Sequence, residues 1–286
     1  LCESKSVKKI FGNKNLLIQC RKCKFTFAGL EPGDQEIAKY YSNYHAYESL
    51  SPLIIKRYNI ILDKLEKYRQ TNNLLETGCG NGIFLEVARK RNWNVFGTEY
   101  SDAALDKCAI KNLPVSKSLA EIKLKAGGDF DVVVTFEVIE HLKNPVQEII
   151  EYSKLLRKNG GLYATTPNYN SLSRRILGYK WNIIIYPEHL SYFTPHTLNK
   201  LLSDHGFKKI ESNTSGVSFG RLVHSLRHKT KNPSTEIINY DYNEKDRKLI
   251  NTIENNYLLR FLKSTVNSLL SFFHAGDSLK VLYEKK

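Results

Sequence analysis

Gly78, Gly80 and Gly82 stand at alternate positions in the run Glu76-Thr77-Gly78-Cys79-Gly80-Asn81-Gly82. Glycines at that spacing make a tight turn whose backbone a ligand can approach closely, and they let a following helix pack on the preceding strand. A dinucleotide fingerprint places its third glycine one position later and offers a helix N-terminus to a pyrophosphate. Here the spacing is tighter, and the carboxylate of Glu76 comes just before the first glycine. A carboxylate there is badly placed for a pyrophosphate and well placed for an ammonium group. Glu99 ends the next apolar stretch, where an acidic side chain can accept hydrogen bonds from both hydroxyls of a ribose. The glycines alone are compatible with a plain strand-to-helix turn. With Glu76 and Glu99 at two successive strand ends, the group outlines a site for an adenosyl amino acid.

These residues need a parallel sheet to hold them, and the pattern supplies one. Leu74-Leu75-Glu76 reads as a first strand and residues 83–91 as a helix whose Arg89, Lys90 and Arg91 suit the negative end of its dipole. Residues 94–98 and 103–110 repeat the strand and helix, and the apolar run 130–136 marks a strand buried on both faces. A helix over 146–156, a strand over 161–166, a helix over 195–205 ending at Gly206, and strands at 207–212 and 278–283 complete the alternation. Such alternation implies a parallel sheet with right-handed crossovers. Upstream, residues 35–70 read as two helical stretches. Ser51-Pro52 opens the second, which carries the apolar stripe Leu53, Ile54, Tyr58, Ile61, Leu62 and Leu65.

The segment from Leu74 to Ser101 resembles the first two motifs of class I S-adenosylmethionine-dependent methyltransferases. Asp131 through Leu142, which contains Phe136-Glu137-Val138-Ile139-Glu140-His141, is similar to the fourth-strand motif of the branch that includes the ubiquinone-type O-methyltransferases. Gly160-Gly161-Leu162, Thr166-Pro167-Asn168 and Glu188-His189-Leu190-Ser191-Tyr192-Phe193-Thr194 resemble a subgroup found with sugar and surface-polysaccharide pathways. The likeness spans about residues 35–212 and the final strand. It implies an α/β Rossmann-like seven-stranded sheet of order 3-2-1-4-5-7-6 with helices on both faces; the looser, basic stretch 216–276 reads as a partly helical insertion before the last strand. It also implies S-adenosylmethionine as cofactor. By this resemblance Glu76 holds the methionine end, Glu99 the ribose and Tyr100 flanks the adenine, while Phe136 and Glu137 line the cofactor beside its transferable methyl. Many relatives place an acidic group for the adenine amine after the third strand. This chain has Ser116-Lys117-Ser118-Leu119 there, so that contact falls to backbone or to Ser118.

Methyl transfer from a sulfonium is an in-line displacement, which leaves the protein to align, to exclude water and to take a proton from a hydroxyl acceptor. His141, just past the fourth strand at the ligand-binding edge of the sheet, reads either as that base or acceptor-orienting group, or as a tie for its loop. His189 reads either as a second such group or as packing beside Tyr192 and Phe193. The expected acceptor is a small metabolite or a glycan precursor.

Residues 1–33 lack helical periodicity, end at Glu31-Pro32-Gly33 and read as a small ribbon-like segment distinct from the domain at 34–286. Cys20-Arg21-Lys22-Cys23 reads either as a knuckle spacing that lets two thiolates reach one tetrahedral metal, zinc in a ribbon, with Cys2 a third ligand, or as two incidental surface cysteines. Leu1-Cys2-Glu3-Ser4 reads as the tail of a second knuckle whose first cysteine stands two residues before Leu1. Cys79 and Cys108 read as isolated packing residues. Residues 257–273 mix a wide apolar face with Arg260 and Lys263, as a helix does that packs on a domain or a dimer partner, lies on a membrane surface, or lids a lipid-linked acceptor.

Composition limits the alternatives. With 41% hydrophobic and 25% charged residues the chain is of ordinary globular type, and no stretch has the ~18 uncharged apolar residues of a membrane span. Five cysteines and no signal-peptide pattern favour the cytoplasm, with peripheral membrane contact left open through 257–273. The formal charge of +14 keeps an RNA methyltransferase as an alternative, although no aromatic-interleaved basic stripe accompanies it. A non-catalytic cofactor-binding scaffold is the other alternative, since the glycines and carboxylates argue for binding alone.

Overall fold

The computed structural model describes residues 1–2, 4–11, 17–33, 35–36, 51–216 and 256–286. The first predicted helix upstream of Ser51 and most of the 216–276 insertion lie outside the described residues. Three short strands come first, β1 (Val7–Phe11), β2 (Leu17–Cys20) and β3 (Thr26–Ala28). Helix α1 (Pro52–Leu65) follows, with the Ser51 hydroxyl accepting the Ile54 N–H and proline in its first turn. Alternation then runs through β4 (Asn73–Thr77), α2 (Ile83–Arg89), β5 (Asn94–Thr98), α3 (Asp102–Ile110), β6 (Val115–Ser116), α4 (Leu119–Ala126), β7 (Phe130–Phe136), α5 (Pro145–Leu155) and β8 (Leu156–Pro167). The chain continues through α6 (Leu172–Leu177), β9 (Ser191–Tyr192), α7 (Pro195–Asp204), β10 (Phe207–Ser215), α8 (Tyr257–Phe272) and β11 (Ser278–Lys285).

The seven-stranded sheet has the order β10-β11-β8-β7-β4-β5-β6. Counted along this sheet alone, that is the 3-2-1-4-5-7-6 order expected from the sequence. The five strands β4 to β8 are parallel, and β11 runs antiparallel between β8 and β10. From Val132 to Val134 successive residues of β7 feed opposite faces: Val133 packs with Leu75, Ile149 and Phe193, whereas Val132 and Val134 pack with Leu62, Leu74 and Phe84. Burial on both faces explains why this strand is a continuous apolar run rather than an alternating one. Each such fully buried side chain contributes about 1.5–3 kcal/mol.

The turn entering β4 is held by Asp131, a fully buried carboxylate on the neighbouring strand. Its Oδ2 accepts the backbone N–H groups of Gln70, Thr71 and Asn72 at 2.7, 2.7 and 2.8 Å, and its Oδ1 accepts Arg157 Nε at 2.6 Å. Replacing Asp131 by alanine strands three backbone donors and a guanidinium. The expected loss is about 3–5 kcal/mol of unfolding free energy by urea titration. A loss below about 1 kcal/mol would show that the turn holds without it.

The amino-terminal segment is joined to the rest of the protein by a second sheet. Its order is β1-β2-β3-β9, so a strand from the far side of the chain completes it. Cys20, Cys23 and Phe25 belong to the same apolar cluster as Ile149, Phe193 and Phe207. On the opposite flank, α8 meets β10 through polar side chains, Ser271 and Asn267 bonding the backbone of Thr214 and Gly216. Its Leu258, Phe261, Leu269 and Phe272 are exposed among the described residues.

Candidate functional site

The glycine turn lies at the carboxyl end of β4, and each of its glycines has a positive φ: 64° at Gly78, 51° at Gly80 and 71° at Gly82. Space is equally restrictive. A Cβ on Gly78 would stand 2.5 Å from Val138 Cγ2, and one on Gly82 would stand 2.4 Å from Leu113 Cδ1. The turn is braced from below by Lys111, whose ammonium donates to the Asn81 carbonyl and to Glu86 Oε2, each at 2.7 Å. Cys79 and Cys108, read from the sequence as isolated, converge beneath it: both thiols donate to the Gly80 carbonyl, at 3.8 and 3.3 Å. Cys108 sits on α3, one helix away, and nothing local in the sequence connects it to the turn.

Both carboxylates predicted to hold a ligand flank this turn, in different states. Glu99 Oε1 accepts the N–H groups of Tyr100 and Ser101 at 2.7 and 2.8 Å, and Oε2 accepts that of Gly80 at 2.8 Å. Its orientation is therefore fixed, with acceptor capacity remaining on Oε2. Glu76 is buried, and its Oε2 has no hydrogen-bond partner. Burial first, then the neighbouring Cys108 and Glu99, pushes its carboxyl well above the usual carboxylate range. A buried acceptor without a donor at a ligand-binding edge is a place for a cation with N–H groups to give.

Aromatic rings cluster near Glu76. The Phe136 ring lies 5.6 Å from Tyr58, 5.1 Å from Phe84 and 6.0 Å from Tyr163, centroid to centroid. Tyr58, read from the sequence only as part of the α1 stripe, lies close enough for the Glu76 charge, after burial, to raise its phenol. Ring faces of this kind attract a positively charged group. Tyr100 is exposed, with the Lys117 ammonium 5.8 Å from its ring centre. The Ser118 hydroxyl accepts the Glu121 N–H at 3.4 Å and so caps α4, a helix the sequence reading did not include. Glu137 has φ of 53°, uncommon for a residue with a side chain, and its N–H donates to the Thr165 carbonyl at 3.0 Å.

The loop after β7 links the glycine turn to a second cluster. Val138 touches Gly78, and three residues on stands His141, whose ring lies 4.7 Å from that of His189. His141 Nδ1 is 2.8 Å from the Glu188 carbonyl and His189 Nδ1 is 2.6 Å from the Ile183 carbonyl. A carbonyl only accepts, so both Nδ1 atoms carry the proton; the Nε2 atoms lie 3.9 Å from carboxylate oxygens, that of His141 from Glu140 Oε1 and that of His189 from Glu188 Oε1. Burial first, then His189, lowers His141 to about 4. Glu140 lies alongside, buried, with Oε2 accepting the Thr166 hydroxyl at 2.9 Å and Oε1 unpartnered. Burial, then Glu137, raises its carboxyl well above the usual range. One ligand atom from each of Glu140, His141 and His189 falls within 4.8 Å of the others, a group that can take up a proton or a divalent cation. The Nδ1 bonds tie His141 to the Glu188 carbonyl and His189 to the Ile183 carbonyl.

A third cluster joins Cys2, Cys20 and Cys23, all free thiols within 4.8 Å of one another. Backbone N–H bonding from Cys23 brings the Cys20 thiol down to about 6, whereas burial takes Cys23 up to about 11.

Comparison with known proteins agrees with this geometry. Residues 54–212 match the profile of a family described as a methyltransferase domain. Over 164 residues the chain is 28% identical to the ubiquinone biosynthesis O-methyltransferase of Dinoroseobacter shibae, covering 52% of this chain and 64% of that one. With the enzyme of the same description from Cereibacter sphaeroides it shares 27% over 185 residues, 58% of this chain and 71% of that one. The chain thus spans under two thirds of the length of the first of these relatives. A crystal structure described as a SAM dependent methyltransferase from Archaeoglobus fulgidus superposes with a TM-score of 0.51 at 19% identity, covering 82% of this chain and 93% of the other. At that identity the likeness is one of fold.

Proposed function

Because this chain belongs to the methyltransferase-domain family, we propose that it transfers the methyl group of S-adenosylmethionine to a hydroxyl of a small metabolite or glycan precursor. The observation that carries the reading is the unpartnered, buried Glu76 carboxyl beside a turn of three positive-φ glycines, with Glu99 oriented on the turn's other flank. Glu76 receives the ammonium of the methionine end and ionises as it does so. Glu99 receives the ribose on Oε2, Tyr100 covers the adenine, and the rings of Phe136 and Tyr58 face the sulfonium. When bound, the cofactor supplies a methyl on a positively charged sulfur that leaves as a neutral thioether.

The chain's own residues handle the acceptor. The hydroxyl sits against the Nε2 atoms of His141 and His189, which orient it and accept its proton as the oxygen–carbon bond forms. A neutral imidazole suits this task, and burial keeps His141 neutral at physiological pH. Glu137, held in its unusual backbone conformation, lines the methyl end. No described helix is long and apolar enough to cross a membrane, and the enzyme is proposed to act in the cytoplasm.

A screen with radiolabelled S-adenosylmethionine against nucleotide sugars, polysaccharide fragments, quinol precursors and RNA tests the proposal. Label is expected in a hydroxyl-bearing small molecule or glycan. Transfer to RNA alone would replace the acceptor class, and absence of cofactor binding by calorimetry would remove the reading.

A further inference from the structure

We propose that Cys2, Cys20 and Cys23 bind one thiophilic divalent ion, with zinc the natural occupant, and that this ion fixes β9 and thereby positions His189 at the acceptor side. The second half of this inference rests on the methyltransferase reading.

The three thiols are arranged as ligands are. Cys2 Sγ and Cys20 Sγ are 3.5 Å apart, close to the edge of about 3.8 Å for a tetrahedron with zinc–sulfur bonds near 2.3 Å. None is in a disulfide. The loop carrying Cys20 and Cys23 is closed as a knuckle: the Cys20 N–H donates to the Phe25 carbonyl at 2.9 Å and the Lys24 N–H to the Cys20 carbonyl at 3.0 Å. Lys24, at φ of 63°, makes the sharp bend. Three thiolates on one ion give a tetrahedral site with its fourth position open to water or another ligand.

From this cluster a short, continuous path leads to the histidines. Phe25, two residues beyond Cys23, packs on Phe193 at 5.3 Å between ring centres. Thr26 pairs with Tyr192 and Phe27 with Ser191, and the Ala28 N–H donates to the Leu190 carbonyl at 2.9 Å. Leu190 directly follows His189. On the other side, the N–H groups of Leu190 and Ser191 both donate to the Glu140 carbonyl, at 2.8 and 2.9 Å. The segment 189–192 is therefore gripped between β3 and the backbone next to His141.

Without an ion, this grip depends on strands of two to five residues, a length that is marginal by itself. Metal binding to thiolates is folding free energy for so small a sheet, delivered at its base beside Phe193. Zinc thus acts on acceptor geometry from a distance, and the cofactor turn between β4 and β5 lies outside its reach.

The test uses the full chain, stripped with a chelator and reloaded with Zn²⁺ or Co²⁺. Loading to about one ion per chain is expected, with cobalt giving thiolate-to-metal absorption. Stripping should speed amide hydrogen exchange at residues 26–28 and 189–193 by about 10-fold or more, leaving β4 and β5 unchanged. Cys20→Ser should reproduce the stripped pattern; if that variant fails to fold, the chelation arm decides. A Cys2–Cys20 disulfide in place of an ion, no loading, or loading with unchanged exchange at 189–193 would each overturn the proposal. Calorimetry with S-adenosylmethionine on stripped and loaded protein separates the two readings. Its failure in both forms removes the methyltransferase assignment while the exchange result still judges the metal clamp.

Discussion

Replacing Glu99 by alanine should weaken S-adenosylmethionine binding by about 100-fold, read by calorimetry on the purified variant. The magnitude follows from losing charge-assisted hydrogen bonds to the ribose, each contributing about 1.5–3 kcal/mol. A second loss adds to it, because the Glu99 carboxylate is also what orients the N–H groups of Gly80, Tyr100 and Ser101. Removing it leaves three donors to be satisfied by water and lets the glycine turn relax away from its ligand-binding shape. Glu99→Gln separates these contributions: it keeps an acceptor oxygen but exchanges the other for a donor that faces backbone N–H groups. Its affinity should fall between those of wild type and Glu99→Ala. Unchanged affinity in Glu99→Ala would show that the ribose is held elsewhere.

The second large effect is expected at His141. His141→Asn retains a donor for the Glu188 carbonyl and has no basic nitrogen, so the loop keeps its tie while the proton acceptor is lost. Turnover on the identified acceptor should drop by about 10²–10⁴-fold with cofactor affinity unchanged. The pH dependence carries a separate signature. The base must be neutral to accept a proton, and His141 is lowered from 6.5 to about 4. Activity should therefore hold as pH falls through 6.5 and decline only on approach to pH 4, provided the protein remains folded. A limb near 6.5 would assign the proton to a more exposed group, and full turnover in the variant would leave His141 with its loop-tying role alone.

How much of this was legible in the sequence depends on how local each feature is. β5 and β7 have the bounds read from hydropathy, since a doubly buried parallel strand carries its own signature in a run such as Phe130 to Phe136. The glycine turn is legible for the same reason, because positive φ demands glycine at each position. α4 escaped the reading, although Ser118 and the left-handed Gly127 that bound it are ordinary helix signals. What no local pattern could supply is convergence. His141 and His189 are separated by α5, β8 and α6, and only the packed fold brings them together beside Glu140. The pairing of β3 with β9 and the convergence of Cys79 and Cys108 on the Gly80 carbonyl are of the same kind. Asp131 shows a further limit: it reads as one residue of a strand motif, and its grip on three N–H groups appears only when the turn before β4 lies against it.

The sharing of β9 between the two halves of the chain also decides where the protein can be cut. The family match begins at residue 54, which suggests a boundary, yet truncation there would uncover Phe193 and leave Ser191 and Tyr192 as an unprotected sheet edge. Open edges beside apolar surface recruit other chains. The first thirty-odd residues therefore serve as the domain's cover as much as its neighbour, and the unit that stays soluble is longer than the unit that is recognisable.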